Sequence, residues 1–127
     1  MAWDVYLTSE VDEWLHDLAR RDYESYVQCV VAIEALVAGG PAIGRPLVDR
    51  IKGSSLHNLK ELRPGSTGRS EVRILFVFDP WRSAILIVAG DKSGVWASWY
   101  EISIPIAERR FAQYLEEREM EEEGNGN

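Results

Sequence analysis

Two apolar segments joined by one short turn constrain the fold of this chain more than any other feature. In the stretch from Glu71 to Phe78, Val72, Ile74, Phe76 and Phe78 share one face of an extended strand, while Glu71, Arg73, Leu75 and Val77 share the other, because successive strand side chains point to opposite sides. Asp79-Pro80-Trp81-Arg82-Ser83 has turn chemistry. Ala84 to Ala89 is an unbroken apolar run, as expected of a central strand covered on both faces. Leu59 to Arg63, set off by a Pro/Gly/Ser turn, supplies a further strand. The three form an antiparallel meander. Its first and third strands run parallel, so Arg63 and Lys92 leave them at one edge of the sheet, and Arg73 near the start of the middle strand lies at the same edge. Three cations are expected to converge there.

The rest of the chain reads as helical layers around that meander. Trp3, Val5 and Leu7 alternate with Asp4 and Tyr6, the period of a strand with one face on a core. Thr8-Ser9 followed by Glu10, Asp12 and Glu13 gives a hydroxyl cap and acidic first turn, and Val11, Trp14, Leu15 and Leu18 form the apolar stripe of a first helix. A second helix is expected from about Asp22 to Ala38, with Tyr23, Tyr26, Val27, Val30, Ile33 and Val37 as its stripe and Gly39-Gly40-Pro41 as its stop. The short link between them makes a helical hairpin. Residues 41–58 read as an irregular loop, and loops of this kind often carry function. Ser103-Ile104-Pro105 opens a final helix whose buried stripe is Ala107, Phe111, Tyr114 and Leu115. The expectation is an α+β fold in a single domain over residues 1–115, followed by a frayed acidic tail over 116–127.

Composition narrows the class. A chain of 127 residues with 46% hydrophobic content supports one core but not two. It shows no signal-peptide pattern and no membrane-length apolar run, so a cytoplasmic protein without a membrane partner is expected. The single cysteine, Cys29, cannot form an internal disulfide and lies among valines, as a buried apolar residue would. His16 falls on the polar side of the first helix. The net charge of −7 is unevenly spread. Residues 1–44 carry −6 and residues 116–127 carry −5, whereas residues 45–92 hold nine basic against five acidic side chains, or +4. Such segregation can build a positive cleft in an acidic protein.

Two readings of the cations are open at this level. They are solvated strand ends paired with Glu61 and Glu71 at little energetic gain, or they hold an anion. The segment Val95-Trp96-Ala97-Ser98-Trp99-Tyr100 brings large aromatics beside them. Rings interleaved with cations stack on single-stranded bases, but they can equally close a core or meet a protein. On the first alternative Lys60, Arg69, Arg82, Trp96 and Trp99 are the RNA-binding candidates.

The order of these elements, with Leu59-Lys60-Glu61-Leu62-Arg63, Glu71-Val72-Arg73-Ile74-Leu75-Phe76, Leu86-Ile87-Val88-Ala89-Gly90-Asp91-Lys92 and Ile104-Pro105-Ile106-Ala107-Glu108, resembles the RelE/HigB-type toxins of bacterial type II toxin–antitoxin modules over residues 3–115. The resemblance implies a RelE-like microbial RNase fold. It further implies an endoribonuclease that cleaves mRNA in the ribosomal A site, and silencing by a cognate antitoxin, here expected to be a helix-turn-helix, HigA-like protein. Attack of a 2′-hydroxyl on the adjacent phosphorus needs a base, cations for the phosphorane charge and an acid for the leaving oxygen. It needs no metal or other cofactor. By resemblance Arg73, Lys92 and Arg63 handle the phosphate. Glu61 stands where some relatives have a catalytic lysine, and Ile104 where some use a tyrosine. Tyr100 and His57 are the remaining acid–base candidates. The alternative is a catalytically inactive, toxin-like binding module that acts through its antitoxin or another protein.

Overall fold

The computed structural model describes residues 2–66 and 68–125. Its elements in chain order are β1 (Asp4–Leu7), α1 (Ser9–Arg21), α2 (Tyr23–Gly39), a 3₁₀ turn (Gly40–Ala42), β2 (Val48–Arg50), β3 (Lys60–Leu62), β4 (Val72–Phe78), β5 (Ser83–Asp91) and α3 (Trp96–Asn125). The strands form one sheet in the order β1-β5-β4-β3-β2. β1 runs parallel to β5, and every other neighbouring pair is antiparallel. Parallel pairing of β1 with β5 needs a crossover, and the chain between them supplies it.

β5 sits between β1 and β4, and Ala84 to Val88 are buried on both faces, as the unbroken apolar run predicts. The α1–α2 hairpin covers one face, with Val11, Leu15, Leu18, Cys29, Ala32 and Leu36 packed on Ile74, Phe76 and Leu86. The opposite face carries α3, where Ala107 and Phe111 meet Leu59, Leu75, Val77, Ile85 and Ile87. The alternation in β4 thus divides its side chains between two cores. Thr8 caps α1 by accepting from the Val11 amide at 3.3 Å, and Asp22 ends α1 and caps α2.

Four expectations change. Residues 41–58 are not wholly irregular, since Val48–Arg50 adds an edge strand to β3 and extends the meander to four strands. Such a short strand, with Pro46 nearby, has too few residues to display a period. The buried line of α2 is Ser25, Cys29, Ala32 and Leu36, one step around from the expected stripe, and Tyr23, Val27 and Val31 face outward. The helix is apolar on most sides, so periodicity does not select a face, and the small residues at 25, 29 and 32 permit close approach to the sheet. For the same reason Tyr23–Ala42 matches a membrane span by length and apolarity, although one line of it packs on the sheet. Finally, α3 begins at Trp96, well before Pro105, and continues through the acidic run to Asn125. Pro105 lacks the N–H that would reach the Glu101 carbonyl; Glu101 and Pro105 both lie on the exposed side of the helix.

Candidate functional site

The antiparallel register builds the site. Leu62 lies opposite Ile74 and Arg73 opposite Gly90, so the C-terminal ends of β3 and β5 meet the start of β4. Glu61 on β3, Arg63 just after it and Arg73 on β4 turn toward α3. The Lys92 amide bonds to the Glu71 carbonyl at 3.1 Å, and the Trp99 amide to the Val95 carbonyl at 2.8 Å. The first turn of α3 is thereby set directly over the end of the sheet.

A continuous polar network results. Glu61, only 2% exposed, accepts from Arg63 Nε at 2.8 Å on Oε1 and from the Tyr100 hydroxyl at 2.6 Å on Oε2. Lys92 Nζ donates to the Tyr100 oxygen at 3.3 Å. It also sits 3.2 Å from the centroid of the Trp96 ring, a cation–π contact. Arg63 continues to Asp49 on β2 at 3.1 Å. Arg73 gives Nη1 to the Val72 carbonyl at 2.8 Å, while its buried Nε has no hydrogen-bond partner among the described residues. An unpaired, buried guanidinium nitrogen is costly unless something fills its valence, and the same holds for the buried Glu71 Oε2, which likewise has no hydrogen-bond partner among the described residues.

Electrostatics follow from that crowding. Burial and the neighbouring Arg73 charge hold the Lys92 pKa below the ordinary lysine value, against the pull of Glu61 and Glu71. Burial, together with the hydrogen bond to Glu61 and its charge, pushes the Tyr100 hydroxyl up to about 12. Burial opposes the Arg63 charge, but the Glu61 hydrogen bond and the Glu61 and Asp49 carboxylates outweigh it, and its pKa is raised. An open depression of about 270 Å³ adjoins the network, lined by Arg50, Lys52, Glu61, Arg63, Tyr100 and Ile104.

The structure therefore brings together Arg63, Arg73, Lys92 and Tyr100, with Trp96 half-exposed above Lys92. Trp99 is partly buried, and its indole lies against Gly90 in the space a side chain there would need; it packs the helix onto the sheet. Lys60 alternates to the opposite face and lies 5.3 Å from the Phe78 ring. His57 is exposed in the turn before β3, outside the network, and Arg69 is exposed in the β3–β4 connection. Arg82 lies at the far end of the β4–β5 hairpin, ~25 Å away by strand rise, 4.8 Å from the Trp3 ring. Sequence reasoning did not foresee Arg50 and Lys52, because β2 was read as loop, or the bridging position of Glu61, for which strand alternation with Arg63 was the available signal. Cys29 is buried as expected, and burial first, then Asp22, lifts its thiol to about 11. Among the described residues no group of three or more His, Cys, Asp or Glu side chains is arranged to hold a metal ion.

Comparison with known proteins gives the lineage. Residues 13–112 match the family of phage-derived Gp49-like proteins. Two Mycobacterium tuberculosis proteins designated toxins are similar over most of the chain. HigB2 is 52% identical over 105 residues, 83% of this chain but 51% of its own length, so the chain spans about half of that relative. HigB3 is 44% identical over 111 residues, 87% of this chain and 92% of its own length. The free-state structure of a doubly substituted E. coli toxin RelE superposes with a TM-score of 0.55 at 11% identity, covering 75% of this chain and 88% of that one. That likeness is one of fold, and it is the RelE-like fold expected from the order of elements.

Proposed function

We propose, from the premise that this chain belongs to the Gp49-like family, that it is the toxin of a type II toxin–antitoxin module and an endoribonuclease acting on ribosome-bound mRNA. The similarity to HigB2 and HigB3 supports the toxin assignment. The observation that carries the chemistry is the convergence of Arg63, Arg73 and Lys92 at one end of the sheet, with the Arg73 Nε unpartnered among the described residues.

In this reading the scissile phosphate sits against Arg73 and Lys92. Attack of the 2′-oxygen builds negative charge on the phosphorane oxygens, and cations already held in place stabilise it without reorganising; removing one such group typically costs ~100- to 1,000-fold in rate. Arg63 is held by Glu61 and Asp49, so it contributes as a fixed charge at the rim. Trp96, half-exposed beside Lys92, offers a face on which a base adjoining the cut can stack. Tyr100 lies at the same point and takes part in proton transfer. Arg50, Lys52 and Arg69 extend positive charge toward flanking phosphates. The partners are the mRNA, the ribosome and a cognate HigA-like antitoxin, and the compartment is the cytoplasm.

The test is to induce the chain in bacteria and map 5′ ends of ribosome-bound mRNA. New ends bearing 5′-hydroxyls, appearing as growth arrests, are the expected result. Arrest without new ends would replace the nuclease by a toxin-like module that acts through binding alone.

A further inference from the structure

The sheet does not set every cation around the site. Arg63, Arg73 and Lys92 stand on or beside paired strands, whereas Lys52 lies in the connection between β2 and β3. Two anchors hold that connection from within. The Ile51 amide bonds to the Leu59 carbonyl at 3.0 Å and the Leu59 amide to the Leu56 carbonyl at 3.3 Å, and the side chains of Ile51 and Leu56 pack against the core beneath α3. Between these anchors run Lys52, Gly53, Ser54 and Ser55. Gly53 has a φ of 83°, with open space where a side chain would stand, so neither strand pairing nor packing sets the path of this span.

A carboxylate on α3 ties the span down. Glu108 Oε2 accepts from the Ser54 hydroxyl at 2.8 Å, from the Ser55 hydroxyl at 2.8 Å and from the Ser55 amide. Ser54 Oγ in turn accepts from the Leu56 amide at 3.0 Å, which joins the tie to the second anchor. The Ser55 amide first, then the two hydroxyls, hold the Glu108 carboxyl below the ordinary glutamate value. It is therefore ionised near neutral pH, and bonds to an ionised acceptor are the stronger kind. Pairing along the helix does not account for Glu108, because the positions three and four residues away on α3 are Ile104, Pro105, Phe111 and Ala112. Ile104, one turn earlier on the same side of the helix, lines the open depression together with Lys52, Arg63 and Tyr100. The tie and the depression thus share one face of α3.

We propose that Glu108 is a positioning residue of the RNA site: by tying Ser54 and Ser55 to α3 it holds Lys52 beside the depression, where the ammonium binds a backbone phosphate flanking the one that is cut. This rests on the endoribonuclease reading above. Glu108 itself does not touch the RNA. Lysine meets a phosphate as a point charge on a flexible stem, so its share of binding depends on where its backbone is held. With the span tied down, the backbone is ordered on folding and not at the moment of binding, which is how preorganisation raises affinity. The effect falls on affinity and not on the chemical step, because the scissile phosphate meets Arg73 and Lys92, which the tie does not reach.

The experiment is equilibrium binding of a 2′-deoxy-substituted, uncleavable single-stranded RNA across a salt series, with the full chain and its Glu108→Ala, Glu108→Gln and Lys52→Ala variants. The maximal rate and half-saturating concentration for cleavage on programmed ribosomes, thermal unfolding and amide hydrogen exchange are measured alongside. Glu108→Ala should weaken binding ~3- to 10-fold at low salt and flatten the plot of log affinity against log salt by ~0.7, the loss of one phosphate contact on a single strand. The half-saturating concentration should rise in step while the maximal rate stays within about twofold, since the effect is on binding alone. Amide exchange should quicken in residues 52–58. Lys52→Ala should flatten the plot equally, and the double variant should bind no worse than Lys52→Ala, because Glu108 acts through that ammonium. Glu108→Gln, which keeps a carbonyl acceptor for the Ser55 amide, should recover part of the affinity. A Glu108→Ala chain that is less stable yet keeps the full salt slope, or that adds its loss of affinity to that of Lys52→Ala, would make the tie merely structural and overturn the inference. Should Glu108→Ala fail to fold, the chain carrying Ser54→Ala and Ser55→Ala, which leaves α3 unaltered, decides by the same slope. Failure of the unaltered chain to cleave at all would remove the nuclease reading and this inference together, whereas cleavage with an unchanged slope in the variants removes the inference alone.

Discussion

Helix α3 presents two tyrosines to two buried carboxylates at opposite ends of the sheet, and the pairs are nearly identical in isolation. Tyr100 donates to Glu61 at 2.6 Å and Tyr114 to Asp79 at 2.7 Å. Burial and the carboxylate raise both phenol pKa values. Their surroundings separate them. Asp79 also accepts from the amides of Trp81 at 2.9 Å and Ser83 at 2.8 Å, so its valences go to closing the β4–β5 turn, in which Arg82 adopts a φ of 69°. Among the described residues Glu61 accepts from side chains only, and it lies in a network with Arg63, Tyr100 and Lys92 beside an open depression. A tyrosine–carboxylate pair is therefore not a site by itself. Backbone donors make one pair a fastener, and clustered side-chain cations make the other a place where charge can be handled.

The sharpest way to break this contrast is at Arg73. Arg73→Ala should lower cleavage by ~100- to 1,000-fold and abolish growth arrest on induction, with little change in unfolding temperature; arrest that persists would sink the site. At the other end the effect should be on stability instead. Asp79→Ala removes the acceptor of two amides and one hydroxyl, so chemical denaturation should register a loss of ~2–4 kcal/mol, while cleavage per folded molecule stays as before.

Smaller effects should divide in the same way. Tyr114→Phe should cost ~1 kcal/mol of stability and no activity. Trp96→Ala, on a residue 54% exposed, should weaken RNA binding by ~1–3 kcal/mol and leave the fold within about 0.5 kcal/mol. Equal loss of RNA affinity in Trp99→Ala at unchanged stability would contradict the packing role given to Trp99. Alkaline pH should give the smallest signal. Tyr100 titrates at about 12 when folded against 10.0 ordinarily, so above pH 10 the unfolded chain loses its proton first. Folding stability contributed by this group is complete below pH 10 and declines as pH rises toward 12. Phenolate absorbance followed through that range should show Tyr100 and Tyr114 ionising above the ordinary tyrosine value, and Tyr100→Phe should remove part of the decline.

Much of this arrangement was legible in the order of residues. Alternation in Val72 to Phe78 assigned each side chain of β4 to its face, and antiparallel geometry alone carried Arg63, Arg73 and Lys92 to one edge. Turn residues marked the hairpin, and the hydroxyl and acids after Leu7 marked the start of α1. Legibility failed where local signals were weak or uniform. β2 has three residues, too few for a period, so the cations Arg50 and Lys52 stayed hidden. The face of α2 was ambiguous because apolar residues surround it. The start of α3 was misplaced because Pro105 is a good first-turn residue, and nothing nearby in sequence reveals that Trp99 is anchored against Gly90, several residues before it, on β5.

The candidate site divides along the same line. The sequence by itself determined which cations share an edge, since a strand's period and direction are local properties of the backbone. Only the tertiary structure decided what stands among them. Glu61 read from sequence as a carboxylate paired with the cations and, by resemblance, as an acid in a lysine's place, and Tyr100 as one ring of an aromatic segment and an acid–base candidate. The two touch because α3 begins early enough to carry Tyr100 back over β3, a contact between residues distant in the chain that depends on how a helix packs across a sheet rather than on any pattern within either.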